Sequence, residues 1–155
     1  MKKLLLALLI IGVVSVSSFA SEKKFGIGLA AGSITGISMK YWTAHTEAIE
    51  IEAGWSLKHN SYYSIYATYL FHNFKTLREL VSKEILGDIP IYTGLGIRTR
   101  FGEGTDELGL RVPLGVAYMF GTLPLDTFVE VAPALNLYPS TTLYVDVVLG
   151  VRYYF

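Results

Sequence analysis

The side chains that could do chemistry in this 155-residue chain are histidines, hydroxyl groups and a regularly spaced set of charged residues. Cysteine is absent, which excludes disulfides and thiolate metal sites. The three histidines are His45, His59 and His72. Each is predicted at a strand end or in a loop, on no shared face, whereas a metal centre needs converging ligands. The sequence therefore predicts neither a metal site nor a bound cofactor.

A nucleophile and a base stand close together at His59 and Ser61. The segment His59-Asn60-Ser61 resembles the His-x-Ser pair of outer-membrane lipid A deacylases, in which serine attacks an ester and histidine is its base. In that family an acidic partner follows the serine, but here no carboxylate occurs between Ser61 and Glu79. We therefore predict a polar loop and no catalytic residue. A lipid-modifying enzyme, acting as an acyl hydrolase or transferase, is an alternative function.

Apolar residues recur at alternate positions along segments of about ten residues, a length and period typical of transmembrane β-strands. Eight such segments occupy 25–32, 37–42, 49–56, 62–71, 89–101, 109–118, 129–137 and 143–155. One face of these segments is apolar and carries no charge. The opposite face carries Lys40, Glu50, Glu52, Arg98, Arg100, Arg111, Glu130, Asp146 and Arg152.

Five positive and four negative side chains on one face make a poor core for a soluble protein, because burying unpaired charge is costly. The same set suits the inside of a small barrel, where the charges pair with one another. Soluble barrels such as lipocalins have the reverse arrangement, with apolar side chains inside. The pattern predicts an all-β, eight-stranded antiparallel up-and-down transmembrane barrel with a charge network filling its interior. A narrow channel and a soluble periplasmic barrel are the alternatives.

The first twenty residues have the features of a secretory signal peptide. Lys2 and Lys3 precede the apolar run 4–14, and Ser18 and Ala20 occupy the −3 and −1 positions of a cleavage site. The run is too short to favour a membrane-spanning helix. We predict a signal peptide at 1–20, cleavage near Ala20 and a barrel at 21–155. No basic patch is dense enough to indicate nucleic-acid binding.

The last thirteen residues, Leu143 to Phe155, alternate apolar and polar side chains and finish on an aromatic. This stretch resembles the C-terminal signature of bacterial outer-membrane β-barrels. The resemblance implies an assembly signal at Val151, Tyr153 and Phe155, read by the barrel-assembly machinery through strand addition. It also implies that the apolar face meets outer-membrane lipids.

The connection after Phe71 differs from the other loops. Thr76 and Glu79 have the spacing of a capping box, and Leu77, Leu80, Val81 and Ile85 follow helical spacing up to Gly87. We therefore predict a short amphipathic helix from Thr76 to Leu86, between the fourth and fifth strands.

The whole mature chain resembles the small OmpA/OmpX-type eight-stranded barrels. Within it, Thr35 to Trp42, Arg111 to Gly115, Glu130 to Pro133 and Arg152 to Phe155 resemble an uncharacterised family of bacterial outer-membrane-barrel-like proteins. That resemblance implies a fold and an outer-membrane location, but no reaction or ligand. The expected protein is a monomeric, non-catalytic outer-membrane barrel with a structural or surface-binding role.

Overall fold

The structure is a computed structural model that describes residues 23–55, 62–80, 87–102 and 106–155. Ten strands run through these residues: β1 Phe25–Gly32, β2 Thr35–Trp42, β3 Glu47–Trp55, β4 Tyr62–Asn73, β5 Gly87–Asp88, β6 Ile91–Gly102, β7 Glu107–Arg111, β8 Leu114–Phe120, β9 Leu125–Tyr138 and β10 Thr142–Tyr154. No helix in these ranges is long and apolar enough to cross a membrane. The predicted signal peptide lies outside the described residues.

The ten strands close into a ring of eight. β5 and β6 both pair with β8, across a break at residues 89–90, and together form one strand of the wall. β7 and β8 both pair with β9 and form another. All neighbours are antiparallel, and β10 pairs with both β9 and β1, which closes the ring. The predicted antiparallel barrel is therefore confirmed.

A proline interrupts the strand that the sequence predicted as continuous over 109–118. Pro113 has no N–H group to donate to a neighbouring strand. Its carbonyl oxygen instead accepts hydrogen bonds from Gly94 N at 3.2 Å and Thr93 Oγ1 at 2.9 Å. Val112 N donates to Pro133 O at 3.0 Å. The wall therefore keeps its pairing across the break between β7 and β8.

The predicted helix from Thr76 to Leu86 is wrong. The described residues contain no helix, and 76–80 form turns, in which Leu80 N donates to Leu77 O at 3.1 Å. The remainder of the prediction, 81–86, lies outside the described residues.

The capping and the packing of this segment explain the error. Asn73 Oδ1 accepts the N–H groups of Lys75 and Thr76 at 2.9 and 3.3 Å, so the turn begins at Asn73, before the predicted capping box at Thr76. Leu80, on the expected apolar face, is 77% exposed. A helix of this length depends on packing of its apolar face for stability, and that packing is missing at Leu80.

Candidate functional site: the charged interior

The inward side chains of the barrel form three layers of ion pairs. We name the barrel end that holds Phe25 and Phe155 the terminal rim, and the end that holds Trp55 and Phe101 the far rim. The terminal layer is centred on Arg152, the middle layer on Arg111, and the far layer on Arg98 and Arg100. The first three of these arginines are almost fully buried.

In the terminal layer, Arg152 lies between two carboxylates. Its Nη1 is paired with the Glu50 carboxylate and also donates to Ser38 Oγ at 3.4 Å. Its Nε donates to Asp126 Oδ1 at 3.0 Å, while Tyr154 Oη donates to Asp126 Oδ2 at 2.6 Å. Charge-assisted hydrogen bonds of this kind are the stronger class in proteins. The layer ties together strands β2, β3, β9 and β10.

The middle layer is arranged around Arg111. Its Nη2 is paired with Glu130, and its Nη1 lies 3.7 Å from Glu52 Oε2 and donates to Thr68 Oγ1 at 3.3 Å. The guanidinium also lies over the Tyr66 ring, 4.5 Å from its centroid. Arg111 thus joins side chains from β3, β4 and β9, on both sides of the lumen.

The far layer has two arginines and two carboxylates. Asp146 contacts both arginines, with Oδ2 at 3.3 Å from Arg98 Nε and Oδ1 at 3.6 Å from Arg100 Nη2. Arg100 Nη1 lies 3.6 Å from Glu107 Oε2. Asn136 links the two halves, since its Oδ1 accepts from Arg98 Nη1 at 3.1 Å and its Nδ2 donates to Glu107 at 2.7 Å. The opposite charges of this layer balance.

A lysine and a histidine contact each other inside the terminal rim. Lys40 Nζ lies 2.7 Å from His72 Nε2, and His72 Nδ1 lies 3.3 Å from Thr46 O. These two contacts fit a neutral imidazole that accepts at Nε2 and donates from Nδ1. The ammonium also lies 4.6 Å from the ring centroid of Trp42 and 5.3 Å from that of Tyr92. The aromatic faces supply part of the solvation that Lys40 loses on burial.

Aromatic rings fill the space between the layers by lying on glycines of neighbouring strands. A Cβ added at Gly26 would lie 2.7 Å from the Tyr154 ring, and one at Gly150 would lie 2.5 Å from the Phe128 ring. A Cβ at Gly115 would lie 2.3 Å from Tyr92 Cζ. Glycine is therefore required at these positions because the ring occupies the place of a side chain.

Adding a methyl group under one of these rings should loosen the interior. We expect Gly115→Ala to lower the free energy of unfolding by about 1–3 kcal/mol, since the Tyr92 ring must move. Urea unfolding of the refolded protein in detergent micelles measures this. In a Tyr92→Ala background the same substitution should cost much less. An equal cost in both backgrounds would contradict the proposed ring contact.

The structure places all nine of the charged residues singled out in the sequence inside the barrel, eight of them buried and Arg100 with a side-chain exposure of 14%. It adds Asp126 and Glu107, which sequence reasoning missed. Asp126 lies an even number of positions before Glu130 on β9, so the two side chains face the same side of the strand.

His72, predicted at a strand end, lies inside the terminal end of β4. His45 is exposed and stacks on Phe74, with ring centroids 5.5 Å apart. His59 and Ser61 lie outside the described residues.

Of the residues proposed as an assembly signal, Val151 and Tyr153 lie on the outer face of β10 and Phe155 directly follows the strand. Val151, Tyr153 and Phe155 are 41%, 44% and 52% exposed. Phe155 N donates to Phe25 O at 2.9 Å, so the final residue is bound to the first strand.

An eight-stranded closed ring with charges inside and apolar residues outside defines a small up-and-down β-barrel. Among solved structures, the chain is similar to the N-terminal β-barrel domain of Pseudomonas aeruginosa OprF, with a TM-score of 0.60 and 12% identity over 86% of this chain and 98% of that one. It is also similar to Neisserial surface protein A (NspA), with a TM-score of 0.46 and 17% identity over 85% and 94%. No protein-family model and no curated protein matches the chain. The resemblance to small barrels of the OmpA/OmpX type is confirmed at the level of fold.

Proposed function

We propose that this chain is an integral protein of the bacterial outer membrane, monomeric and non-catalytic, with a structural or surface-binding role. It is exported with a signal peptide cleaved near Ala20. Outer-membrane lipids surround its wall, and the barrel-assembly machinery recognises its last strand through Val151, Tyr153 and Phe155.

The exposed apolar wall is the observation that carries this proposal. Between the rims, the outward positions of all eight wall strands hold large apolar side chains, while the charged residues lie inside. Soluble monomers rarely expose a continuous apolar surface of this kind, whereas a bilayer favours it. One outward residue from each wall strand illustrates the pattern: Leu29, Ile37, Ile51, Ile65, Leu95, Val116, Val129 and Leu149.

Aromatic side chains at both rims support a membrane-spanning position. Near the terminal rim, three strands each present an outward pair of rings in contact, with centroids 4.7–5.2 Å apart: Tyr69 with Phe71, Tyr118 with Phe120, and Tyr153 with Phe155. Trp55, Tyr63 and Phe101 are exposed near the far rim. Two aromatic girdles that flank an apolar band are typical of barrels in membranes.

The filled interior supports a non-catalytic role. The guanidiniums of Arg98, Arg111 and Arg152 each pair with carboxylates at a different level of the lumen. Eight strands leave an interior about wide enough for such side chains. The enzyme alternative rests on His59 and Ser61, and ester cleavage that is lost in His59→Ala or Ser61→Ala would favour it over the role proposed here.

Heat-modifiable gel mobility tests the proposal directly. The protein recovered from the outer-membrane fraction should migrate as a compact species when unheated and more slowly after boiling, because the closed ring resists detergent at room temperature. Recovery as a soluble periplasmic species would overturn the membrane location. Recovery in the membrane fraction without a mobility shift would contradict a folded barrel.

A further inference from the structure

Three glutamates converge between the terminal and middle layers. Glu50, Glu52 and Glu130 each offer a carboxylate oxygen, and these oxygens all lie within 4.8 Å of one another. Each of the three residues is only 1% exposed. Three buried carboxylates this close together repel one another strongly unless a bound proton or another cation lies among them.

The neighbouring arginines satisfy only part of this cluster. Arg152 pairs with Glu50 Oε2, and Arg111 pairs with Glu130 Oε1. Glu50 Oε1, Glu130 Oε2 and both oxygens of Glu52 make no hydrogen bond in the described part of the protein. Four buried acceptor atoms therefore lack a hydrogen bond, and the nearest ion contact to Glu52, from Arg111 Nη1 to Oε2, is 3.7 Å long. Unsatisfied acceptors of this kind carry a large desolvation cost.

A phenol from a different strand points into the same space. Tyr92 on β6, Gly115 on β8 and Glu130 on β9 occupy one row of the sheet. Because the Tyr92 ring lies across Gly115, its hydroxyl is directed towards the Glu130 carboxylate. Tyr92 is 1% exposed, and Oη completes no hydrogen bond of ordinary geometry among the described residues. This hydroxyl places a further oxygen atom beside the cluster, from a side chain that is not a carboxylate.

The charge balance of the interior identifies the kind of ligand. The inward side chains of the described strands include five cations and six carboxylates, which leaves one excess negative charge. The far layer, with two arginines and two carboxylates, is balanced. The excess charge therefore belongs to the terminal and middle layers, where neither oxygen of Glu52 accepts a hydrogen bond.

We propose that Glu50, Glu52 and Glu130, together with the hydroxyl of Tyr92, bind one monovalent metal cation of the Na⁺ class inside the barrel. Oxygens within 4.8 Å of one another can surround a single hard cation. The distances from that cation to the oxygens would be roughly 2.3–2.6 Å, as for Ca²⁺, which is close to Na⁺ in size. A single positive charge neutralises the interior. A divalent ion would leave an excess positive charge beside two guanidiniums, which the low-dielectric interior disfavours.

The test is the cation dependence of folding. The full chain is refolded in detergent micelles and unfolded with urea, at constant ionic strength, in mixtures of sodium chloride and choline chloride; choline is too large for the site. Above the dissociation constant, each tenfold rise in Na⁺ should raise the folding equilibrium constant about tenfold. Glu52→Gln should abolish this dependence, and Tyr92→Phe, which keeps the ring, should weaken it even if the glutamine variant does not fold.

Asp146→Asn is the matched control, since it removes a buried carboxylate from the far layer and should keep the response to Na⁺. Equal stability in sodium and choline would overturn the proposal, and would mean that the cluster holds a proton instead. A Na⁺ response that persists in both Glu52→Gln and Tyr92→Phe would place the cation elsewhere. A larger stabilisation by calcium than by sodium at matched ionic strength would overturn the monovalent assignment.

Discussion

Replacing Arg152 with methionine is expected to destabilise the barrel by about 3–5 kcal/mol, because it leaves a buried pair of carboxylates without their partner. The side chain is fully buried and contacts both Glu50 and Asp126. Methionine keeps much of the length of the side chain and removes the charge, so lost packing contributes little. Urea unfolding of both proteins in detergent micelles measures the difference in their free energies of unfolding.

Arg78→Met is the matched control for this substitution. Arg78 is 77% exposed and lies 3.8 Å from Asp88, and a surface pair of this kind contributes about 0–1 kcal/mol. In the double variant Arg152→Met/Glu50→Gln part of the loss should be recovered, since one of the unpaired charges is gone. If Arg152→Met and Arg78→Met cost the same, the terminal layer does not stabilise the fold.

Placing an arginine at the middle of the outer wall is expected to cost about 2–4 kcal/mol in a phospholipid bilayer. Val131 is suitable because it lies halfway along β9, points outward and is 43% exposed. Its neighbours across the sheet are Leu114 and Val147, so Val131→Arg would place a charge within the apolar band. Reversible unfolding from liposomes measures the change in free energy.

Leu137→Arg provides the comparison on the same strand and face. Leu137 lies near the far rim and is 51% exposed, and a charge close to the interface costs only about 0–1 kcal/mol. The difference between the two positions therefore reports depth in the membrane. If Val131→Arg had no effect, the wall would not face lipid, and the outer-membrane proposal would fail.

The strands and their faces could be predicted because a period of two in the sequence is imposed directly by the strand geometry. In six of the eight segments the inward set carries charged residues and the outward set carries none, so the orientation of these strands follows even where a boundary is missed. The interruption at Pro113 and the start of β9 at Leu125 were missed. Strand ends depend on pairing with neighbours, and pairing is not visible in one segment. Asp126 was left out of the predicted interior charges because the segment was predicted to begin at residue 129.

The partners of the interior charges could not be predicted. Arg152 and Glu50 are 102 positions apart in the chain, and the face assignment shows only that both point inward. Which charges meet depends on the stagger of all eight strands, which alternation does not determine. The predicted helix failed for a related reason. Its periodic apolar residues describe a possible face, while the exposure of Leu80 shows that this residue, within the described part of that face, lacks the packing a short helix needs.

The hydrogen bonding of β1 to β10 sets the order in which the molecule can be completed. Gly26 pairs with Tyr154 and Gly32 with Val148, so one of the two neighbours of β1 is β10, the last strand to be synthesised. Contacts between residues this distant in sequence form slowly, because a long loop must close before any bond is gained. The ring therefore cannot close before β10 has been synthesised. Until the final strand is available, the first must be kept from binding to other exposed strands, and the time that this protein spends incomplete is its period of greatest risk of aggregation.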